Sequence, residues 1–500
     1  MNRLHSALLP PTSSCPSNHS IPQLPNPVIE VIPVEVPRTR LASVKYVSDI
    51  PQKVLKGKIL LNEGISPRNF YSSLLYVLFL GIITITYTTL EPQYIGKRFY
   101  IEQENMGKTT SWLYLIDYSI RLCFALLYGP MIDRYGRKPI LTIGVILVSL
   151  SYFLVPVLNQ SLFLGYLSAK SLFSCGIIAL QMIPFAADYV DDSTKGIMAS
   201  LNFSIAFVGG GIGAVILKSL AYFEVGIQET YWTFGAIVFI MGFLISTGVK
   251  KGNKYYRLRE LEAANSEITD STTKWSEVRK AFRENPWILI SIIFGVLGNT
   301  DFYILTTGLV IWVKSLIPAD QDPISITASL QVIFALLSVV VTGILGFKID
   351  KVPHMRIILP ILVIAIIGFI FVPFIGSVEN PLLYIFFAIE GASLPGVLVY
   401  SAYLSYRYNP PGIRGTLSGI SNGIGFLGAI VILCLGGYLH DNWRKDASFI
   451  LYAVLMICTL FVVGTISLRM NKANRRAKEN TLEEISTQVS MSGIKEELVL

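Results

Sequence analysis

The stretch Gly129-Pro-Met-Ile-Asp133-Arg134-Tyr-Gly136-Arg137-Lys138 lies between two long apolar segments and decides how this chain folds. A shortened copy, Gly346-Phe-Lys-Ile-Asp350, lies between two later apolar segments. The glycines and the aspartates of the two copies are each 217 residues apart (346 − 129 and 350 − 133). Gly196 and Gly415, which each follow a basic residue, are 219 residues apart (415 − 196). Two parallel copies in an apolar chain are typical of a duplicated secondary transporter.

The composition places the chain in a lipid bilayer. Hydrophobic residues make up 52% of the 500 residues and charged residues only 15%, and the mean hydropathy is +0.56. A water-soluble chain of this length would not carry so much apolar surface. About a dozen apolar runs have the length of about 20 residues that crosses a bilayer as a helix. The sequence therefore predicts an all-α membrane protein.

The apolar runs divide the chain into two halves of six spans. The first six lie between Tyr71 and Val249, and the second six between Trp287 and Leu468. The first span is predicted to end at Leu90 and the fourth at Ala186. The predicted organisation, in order, is a disordered cytoplasmic tail at 1–69, a six-helix bundle at 70–249, a cytoplasmic central loop at 250–286, a six-helix bundle at 287–470 and a cytoplasmic tail at 471–500. Proline and serine are frequent in the first tail, which favours disorder. Part of the central loop, from Tyr255 onwards, has an amphipathic helical pattern.

Basic residues occur in alternate loops, and their positions predict the orientation of the chain. They follow spans two, six, eight and twelve, at Arg134, Arg137, Lys138, Lys250, Lys251, Lys348, Lys351, Arg475 and Arg476. Loops rich in lysine and arginine face the cytoplasm. Both termini are therefore expected on the cytoplasmic side. The net charge of +8 is explained by this bias, and we expect no nucleic-acid partner.

The sequence offers no motif for catalysis or for a cofactor. No phosphate-binding motif of the form G-x-x-x-x-G-K-S/T occurs, and the four histidines make no metal-ligand spacing with one another. We therefore expect neither an enzyme nor a bound metal or cofactor. The plasma membrane and an internal membrane stay open as locations, and a monomer is expected.

At the residues quoted above, the chain resembles the major facilitator superfamily. The loop between helices two and three of that family reads G-x-x-x-D-R-x-G-R-K/R, and each position matches from Gly129 to Lys138. The resemblance covers about 71–468. It implies two pseudo-symmetric six-helix bundles around a midplane cavity that opens alternately to each side, with helices one, four, seven and ten lining the cavity.

The resemblance also implies a conformational latch on the cytoplasmic side. In the family, this loop joins the two halves against the N-terminus of helix eleven, which is near Arg414 and Gly415 here. A carboxylate such as Asp133 suits the positive end of a helix, and Arg134 can pair with a carboxylate. Gly129 and Gly136 would permit close approach and a tight turn. Arg137, Gly346 and Asp350 complete the expected latch; the alternative is a turn that serves only to orient the chain.

The sequence gives less information about the subfamily. The Pro-Glu-Ser-Pro-Arg stretch of sugar porters is absent after spans six and twelve, which disfavours a sugar porter. The run Val208-Gly-Gly-Gly-Ile-Gly213-Ala partly resembles a motif of drug antiporters but lacks its proline. Glycines at this spacing are also ordinary helix-packing residues, and the matching run from Gly419 to Gly428 favours packing.

Five ionisable residues fall inside the predicted spans, where each is a functional hypothesis because charge at membrane depth is costly. Asp117 and Arg121 are four apart and can neutralise each other, with or without a transport role. Lys170, Asp301 and Glu390 lie on helices that the family uses to line its cavity. They could form ion pairs that switch during transport, or a permanent buried salt bridge. Because burial favours a neutral carboxyl group, Asp301 and Glu390 are also candidate proton carriers.

These observations predict a secondary active transporter of a small organic solute, coupled to protons and working by alternating access. One alternative is a facilitative uniporter without a coupling ion. Another is a membrane receptor or scaffold that uses the same fold without transport. The sequence names neither the solute nor the direction of transport, because cavity specificity depends on side chains spread over many helices.

Overall fold

The computed structural model describes residues 54–55, 59–62, 65–101, 106–158, 161–250, 272–318, 323–410, 413–470 and 472. Within these residues, twelve helices are long and apolar enough to cross a membrane, which confirms the number of spans. We number them in chain order: α1 Pro67–Phe99, α2 Lys108–Tyr135, α3 Arg137–Val157, α4 Leu164–Tyr189, α5 Lys195–Tyr222, α6 Ile227–Gly248, α7 Pro286–Leu316, α8 Ser325–Lys348, α9 His354–Phe374, α10 Pro381–Tyr408, α11 Arg414–Asn442 and α12 Ala447–Met470.

Polar residues followed by proline begin three of these helices. The Ser66 side chain accepts a hydrogen bond from the backbone N–H of Asn69 ahead of α1. Asn285 and Asn380 accept from the N–H two residues later at the starts of α7 and α10. Proline suits the first helical position, because its missing N–H has no partner there. These caps fix where each span enters the membrane.

Each half of the chain is packed within itself, and two helix pairs join the halves. In the first half α1 packs on α5, and α3 packs on α4 and α6. In the second half α10 packs on α7, α8 and α9. Between the halves, the most extensive contacts are made by α2 with α11 and by α5 with α8. These two pairs are equivalent in the repeat, because one copy of the motif begins at the end of α2 and the other at the end of α8.

Glycines allow α1 and α5 to approach closely. A Cβ atom on Gly209 would overlap the carbonyl group of Leu78, and one on Gly81 would overlap that of Ala206. The glycine run of α5 therefore packs against α1, in agreement with the helix-packing interpretation of that run.

Two spans contain a turn of π-helix. The first turn, Leu162–Tyr166, begins two residues before α4 and forms its start. The second turn, Ile304–Gly308, lies inside α7. Single π-turns inside α-helices are often found at functional sites. The turn in α7 begins three residues after Asp301, close to the middle of the span.

Part of the predicted N-terminal tail is ordered, in contrast to the expectation for 1–69. Strands β1 (Val54–Leu55) and β2 (Ile59–Leu60) pair antiparallel. Leu61 then forms an isolated bridge with Val190 after α4, and its side chain is buried. The Asn62 side chain donates hydrogen bonds to the backbone oxygens of Asp188 and Val190. Leu60 to Asn62 thus pair with the chain around the end of α4, and the composition of the tail does not reveal this contact.

The remaining differences concern the ends of the spans and the connections. Helix α1 continues nine residues beyond its predicted end at Leu90. The central connection contains a helix at Thr272–Glu284, whose buried Val278 packs near the start of α7. The predicted amphipathic segment from Tyr255 lies outside the described residues, as do 1–53 of the first tail and 473–500 of the second.

Candidate functional site

A cavity of about 400 Å³ lies between the two halves of the chain. Most of its surface is apolar, and several aromatic side chains contribute to it. Eight helices, α1, α2, α4, α5, α7, α8, α10 and α11, supply its lining. Its polar side chains include Thr84, Arg121, Asp301, Gln331 and Asn422. All four helices that the family resemblance implied, α1, α4, α7 and α10, contribute lining residues, and those of α4 are residues 181–184.

The carboxylate of Asp133 binds the N-terminus of α11 at one end of the cavity. It accepts hydrogen bonds from the backbone N–H of Gly415 at 3.0 Å and of Thr416 at 2.9 Å. The Thr416 hydroxyl donates a third bond at 3.0 Å. The first N–H groups of a helix have no partner within the helix and carry partial positive charge. A buried carboxylate therefore accepts their hydrogen bonds and also compensates that charge. We call this group of contacts the first clamp.

Glycine is required at two positions of the first clamp. A Cβ on Gly129 would lie 2.8 Å from the carbonyl oxygen of Gly415, and one on Gly415 would lie 2.5 Å from the Asp133 carboxylate. Gly136 ends the turn with φ 90°, a backbone conformation that favours glycine. The spacing of the motif thus follows from close backbone contact between α2 and α11.

A second carboxylate, Asp188, bridges the halves beside the first clamp. Arg137 donates to Asp188 at 2.6 Å, and Arg414 donates to it at 3.0 Å. Arg137 and Asp188 belong to the first half and Arg414 to the second. All three side chains are buried. Charge-assisted hydrogen bonds of this kind are among the strongest in proteins.

Arg134 does not take the position expected for it. Its side chain is exposed and lies over the ring of Tyr135, 5.4 Å from the ring centre. Arg137 makes the carboxylate contact instead, because the turn at Gly136 directs it back towards the end of α4. The ion pair expected for the first arginine of the motif is thus formed by the second.

The repeated motif forms a second clamp between α8 and α5. A Cβ on Gly346 would lie 2.9 Å from the Ser200 side chain. The backbone N–H of Gly196, at the start of α5, donates to Asp350, and Arg407 lies 3.7 Å from the same carboxylate. Burial raises the pKa of Asp350, although the hydroxyl of Tyr403 and the charge of Arg407 oppose this effect. The second clamp repeats the geometry of the first with fewer contacts.

Contacts between the halves also occur at the opposite end of the cavity. The hydroxyls of Tyr114 and Thr307 form a hydrogen bond, and Thr307 donates to the backbone oxygen of Thr88 at 3.3 Å. Gln331 donates to Thr89 at 3.3 Å. The cavity therefore lies between two sets of contacts that join the halves.

Four buried charges form a cluster inside the first half. Arg121 binds both oxygens of Asp117, at 2.8 and 2.9 Å. Lys170 pairs with Glu91 and lies 3.8 Å from Asp117. All four side chains are buried, and the two acids balance the two bases.

The placement of Lys170 corrects one expectation. Its partners are Glu91 and Asp117 of its own half, and no ion pair joins it to Asp301 or Glu390 in the described part of the chain. Glu91 lies in the continuation of α1 beyond the predicted span end. Tyr166 also donates to this carboxylate at 2.7 Å. In this conformation Lys170 therefore does not supply the cation for an ion pair that switches between the halves.

Asp301 and Glu390 lie in the second half, and neither has a basic partner among the residues that the structure describes. Both side chains are buried, at 3% and 0% exposure. In the described residues, Asp301 Oδ1 and Glu390 Oε1 have no hydrogen-bond partner. The other Glu390 oxygen accepts from Ser393 at a long 3.5 Å. Asp301 lines the cavity, whereas Glu390 lies behind it, against Gly368 of α9.

Comparison with known proteins agrees with this architecture. A family model described as the Major Facilitator Superfamily matches residues 70–430. The chain belongs to the major facilitator superfamily. Its twelve spans and its fold are those of a membrane transporter of this superfamily.

Two solved superfamily structures share this fold. The human organic anion transporter MFSD10 (TETRAN) is 14% identical, with a TM-score of 0.57 over 79% of this chain and 99% of that chain. The xylose transporter XylE from E. coli, in a partially occluded inward-open conformation, is 12% identical, with a TM-score of 0.60 over 80% of this chain and 97% of that chain. At these identities the similarity concerns the fold alone.

Two sequence relatives are magnetosome proteins. Magnetosome protein MamH of Paramagnetospirillum magneticum is 20% identical over 401 residues, which cover 77% of this chain and 89% of the relative. Magnetosome protein MamZ of Magnetospirillum gryphiswaldense is 21% identical over 436 residues, which cover 81% of this chain and 64% of the relative.

Two residues of this superfamily member were missed by sequence reasoning. Glu91 follows directly after the predicted first span, so it was not counted as a charge at membrane depth. Asp188 follows the predicted fourth span by two residues and was not assigned to the latch. Both are acids within a few residues of a predicted span end, in a connection that also contains apolar residues. An acid in such a position is the sequence signal that could have indicated a helix extending beyond the predicted span.

Proposed function

We propose that this protein is a proton-coupled secondary active transporter of a small organic solute, and that Asp301 carries the coupled proton. The observation that supports this most directly is the buried carboxyl group of Asp301 at the cavity wall, with one oxygen lacking a partner. An ionised carboxylate in such a place is costly unless it is paired. The neutral acid is therefore the form compatible with a closed cavity.

Proton coupling follows from the contrast between closed and open cavities. When one end of the cavity opens, water reaches Asp301 and stabilises its ionised form. Closing the cavity again then requires Asp301 to regain a proton or another positive partner. A conformational step that depends on protonation in this way converts a proton gradient into directed transport.

Glu390 has a supporting role in this proposal. It lies behind Asp301 and has little contact with the cavity, so it stays neutral through the cycle. If it ionised, its charge would disfavour ionisation of Asp301, since like charges at short range oppose one another. The buried charges of the first half balance one another, and that cluster holds Arg121 at the cavity wall.

The two clamps form the latch in this proposal. Their contacts, centred on Asp133 and Asp350, and the neighbouring Asp188 bridge would hold the cavity closed at one end and separate when that end opens. Because basic residues lie near both clamps, we infer that this end of the protein faces the cytoplasm. Both termini are inferred to lie on the same side. Epitope tags at Met1 and Leu500 should then be inaccessible to antibodies outside intact cells. Labelling of either tag without permeabilisation would contradict this orientation.

The test uses purified protein in lipid vesicles with an imposed pH gradient and a panel of labelled organic cations, anions and neutral solutes. Once a transported solute is found, Asp301→Asn should lose accumulation driven by the gradient and retain exchange of solute across the membrane. Exchange requires the cavity to change sides but no net proton release. Glu379→Gln, a change of the same kind at an exposed position, is the control.

The possible outcomes separate the candidate functions. Accumulation at the wild-type level in Asp301→Asn would contradict the proposal, whereas Glu390→Gln should accumulate solute, because Glu390 is neutral throughout the cycle. Wild-type transport that does not respond to the pH gradient would identify a uniporter. Absence of transport for every solute, in protein that is folded, would favour a receptor or scaffold.

A further inference from the structure

The buried charges of the two halves are unequal. In the first half, Glu91 and Asp117 are balanced by Lys170 and Arg121. In the second half, Asp301 and Glu390 have no basic partner among the described residues. The centre of the protein therefore contains an excess of acid, and that excess is next to the cavity only at Asp301.

We propose that the transported solute is an organic cation with one positive charge, and that Asp301 determines this specificity by binding either the cation or a proton. The proposal rests on the function proposed above and names its substrate class. It follows from the positions of the charged groups around the cavity and from the apolar character of the remaining wall.

Two basic side chains line the cavity in the described part of the chain, Arg121 and Arg414, and both are poorly suited to bind an anion because each is paired with a carboxylate, Arg414 with Asp188 at 3.0 Å. Arg121 donates two hydrogen bonds to Asp117 and lies 5.2 Å from the centre of the Tyr118 ring. Its charge is thus largely neutralised within the first half. Lys170 is paired and is not part of the cavity wall. An anionic solute would meet Asp301 without a free cation to offset it.

Aromatic rings complete a site suited to an apolar cation. Phe207 of α5 and Phe334 of α8 meet edge to face across the halves at 5.8 Å. Tyr118, Phe203 and Phe387 also line the cavity. Such rings bind the apolar body of a ligand, and their faces attract a positive charge. A single carboxylate then fixes the position of the charged group.

Charge balance in the closed cavity makes the two ligands mutually exclusive. The exchange is Asp301–COOH + R⁺ → Asp301–COO⁻·R⁺ + H⁺, in which the carboxyl O–H bond breaks and the proton leaves to water. The cavity can close around the neutral acid or around the ion pair, because both avoid an unpaired buried charge. It should not close around an empty carboxylate. Cation and proton are therefore carried in opposite directions.

Three ligands of similar shape test the charge preference: 1-methyl-4-phenylpyridinium, 4-methylbiphenyl and biphenyl-4-carboxylate. Binding to the purified full-length protein is measured by competition with radiolabelled 1-methyl-4-phenylpyridinium, and by proton release in weakly buffered solution. We expect the cation to bind at least about tenfold more tightly than the other two. Binding should release up to one proton per protein. Asp301→Asn should abolish the proton release and the preference for the cation, and should leave the weaker binding to the apolar wall on which exchange depends. Glu379→Gln should bind as the wild type does.

A second measurement does not depend on the choice of ligand. A cysteine replaces Ser421 in the cavity wall of a protein without other cysteines, and its reaction rates with positive and negative methanethiosulfonate reagents are compared. The rate ratio should favour the positive reagent and fall by about tenfold on Asp301→Asn, since one nearby charge is removed. An unchanged ratio would contradict the proposal, even if Asp301→Asn bound no ligand for structural reasons.

The outcomes distinguish this inference from the function on which it rests. Preference for the carboxylate or the neutral ligand, or no binding of the cation, would overturn the cation assignment. Transport of an anion driven by the pH gradient would do the same while leaving proton coupling intact. Cation binding with proton release supports the inference, and it does so even if flux in vesicles fails to follow the pH gradient, a result that would contradict only the proposed coupling.

Discussion

The first clamp allows a quantitative test through Asp133→Asn. The substitution keeps the shape of the side chain but removes its charge and replaces one acceptor oxygen with an NH₂ group. At least one of the bonds to Gly415 and Thr416 is lost. A hydrogen bond to a charged group contributes about 1.5–3 kcal/mol, and a negative charge at a helix N-terminus contributes up to about 2 kcal/mol.

We take about 2–4 kcal/mol as the loss, because these contributions overlap. This changes the ratio of clamp-closed to clamp-open protein by roughly 30- to 700-fold, at about 1.4 kcal/mol per factor of ten. Transport should slow, since the closed state becomes harder to reach, while the protein stays folded.

The assay is the distance between spin labels at Lys250 and Lys351, which are exposed in different halves near the clamps. In Asp133→Asn the distance distribution should shift to longer values. Arg134→Gln is the matched control, because it removes one charge from the same motif at an exposed position where, among the described residues, the side chain lies over Tyr135 of its own half. An unchanged distribution together with wild-type transport in Asp133→Asn would refute the role of this clamp.

Two further predictions concern packing and buried charge. Gly129→Ala should separate α2 from α11 and lower the transport rate, because its Cβ would lie 2.8 Å from a carbonyl oxygen. The control Gly464→Ala, with nothing within 4 Å of the added atom, should transport normally. Equal transport rates in the two variants would contradict this prediction. Glu91→Gln should lower the free energy of unfolding by about 3–5 kcal/mol, because Lys170 loses its partner. Adding Lys170→Met should restore much of that loss in thermal unfolding; a double variant less stable than Glu91→Gln would rule out the explanation.

The fold could be predicted from sequence because the two strongest signals were local. Hydropathy located the spans, and the spacing around Asp133 indicated a turn packed against another helix. The contact with Gly415 was expected only through the family resemblance, since spacing alone does not show which helix is nearby. The partner of Lys170 was missed for a different reason. Hydropathy falls at Glu91, but the helix continues because the side chain is neutralised inside the protein.

The charges of the second half illustrate the same limit. Asp301 and Glu390 were recognised as costly at membrane depth, which depends only on residue type and position. Their lack of basic partners depends on helix rotation and on which bundle contains Lys170. A linear pattern contains no information on either, so the charge imbalance between the halves emerged only from the three-dimensional arrangement.

The inequality of the two clamps has a mechanical consequence. The first has three hydrogen bonds to a buried carboxylate and the adjacent Asp188 bridge. In the second, Asp350 is 23% exposed and its arginine lies at 3.7 Å. When two helix bundles are held together at two contacts, the weaker contact separates first. The stronger contact then acts as the hinge about which the bundles rotate. We expect the seam between α5 and α8 to open first, so that water enters beside Phe207 and Phe334 and wets one flank of the cavity before the other.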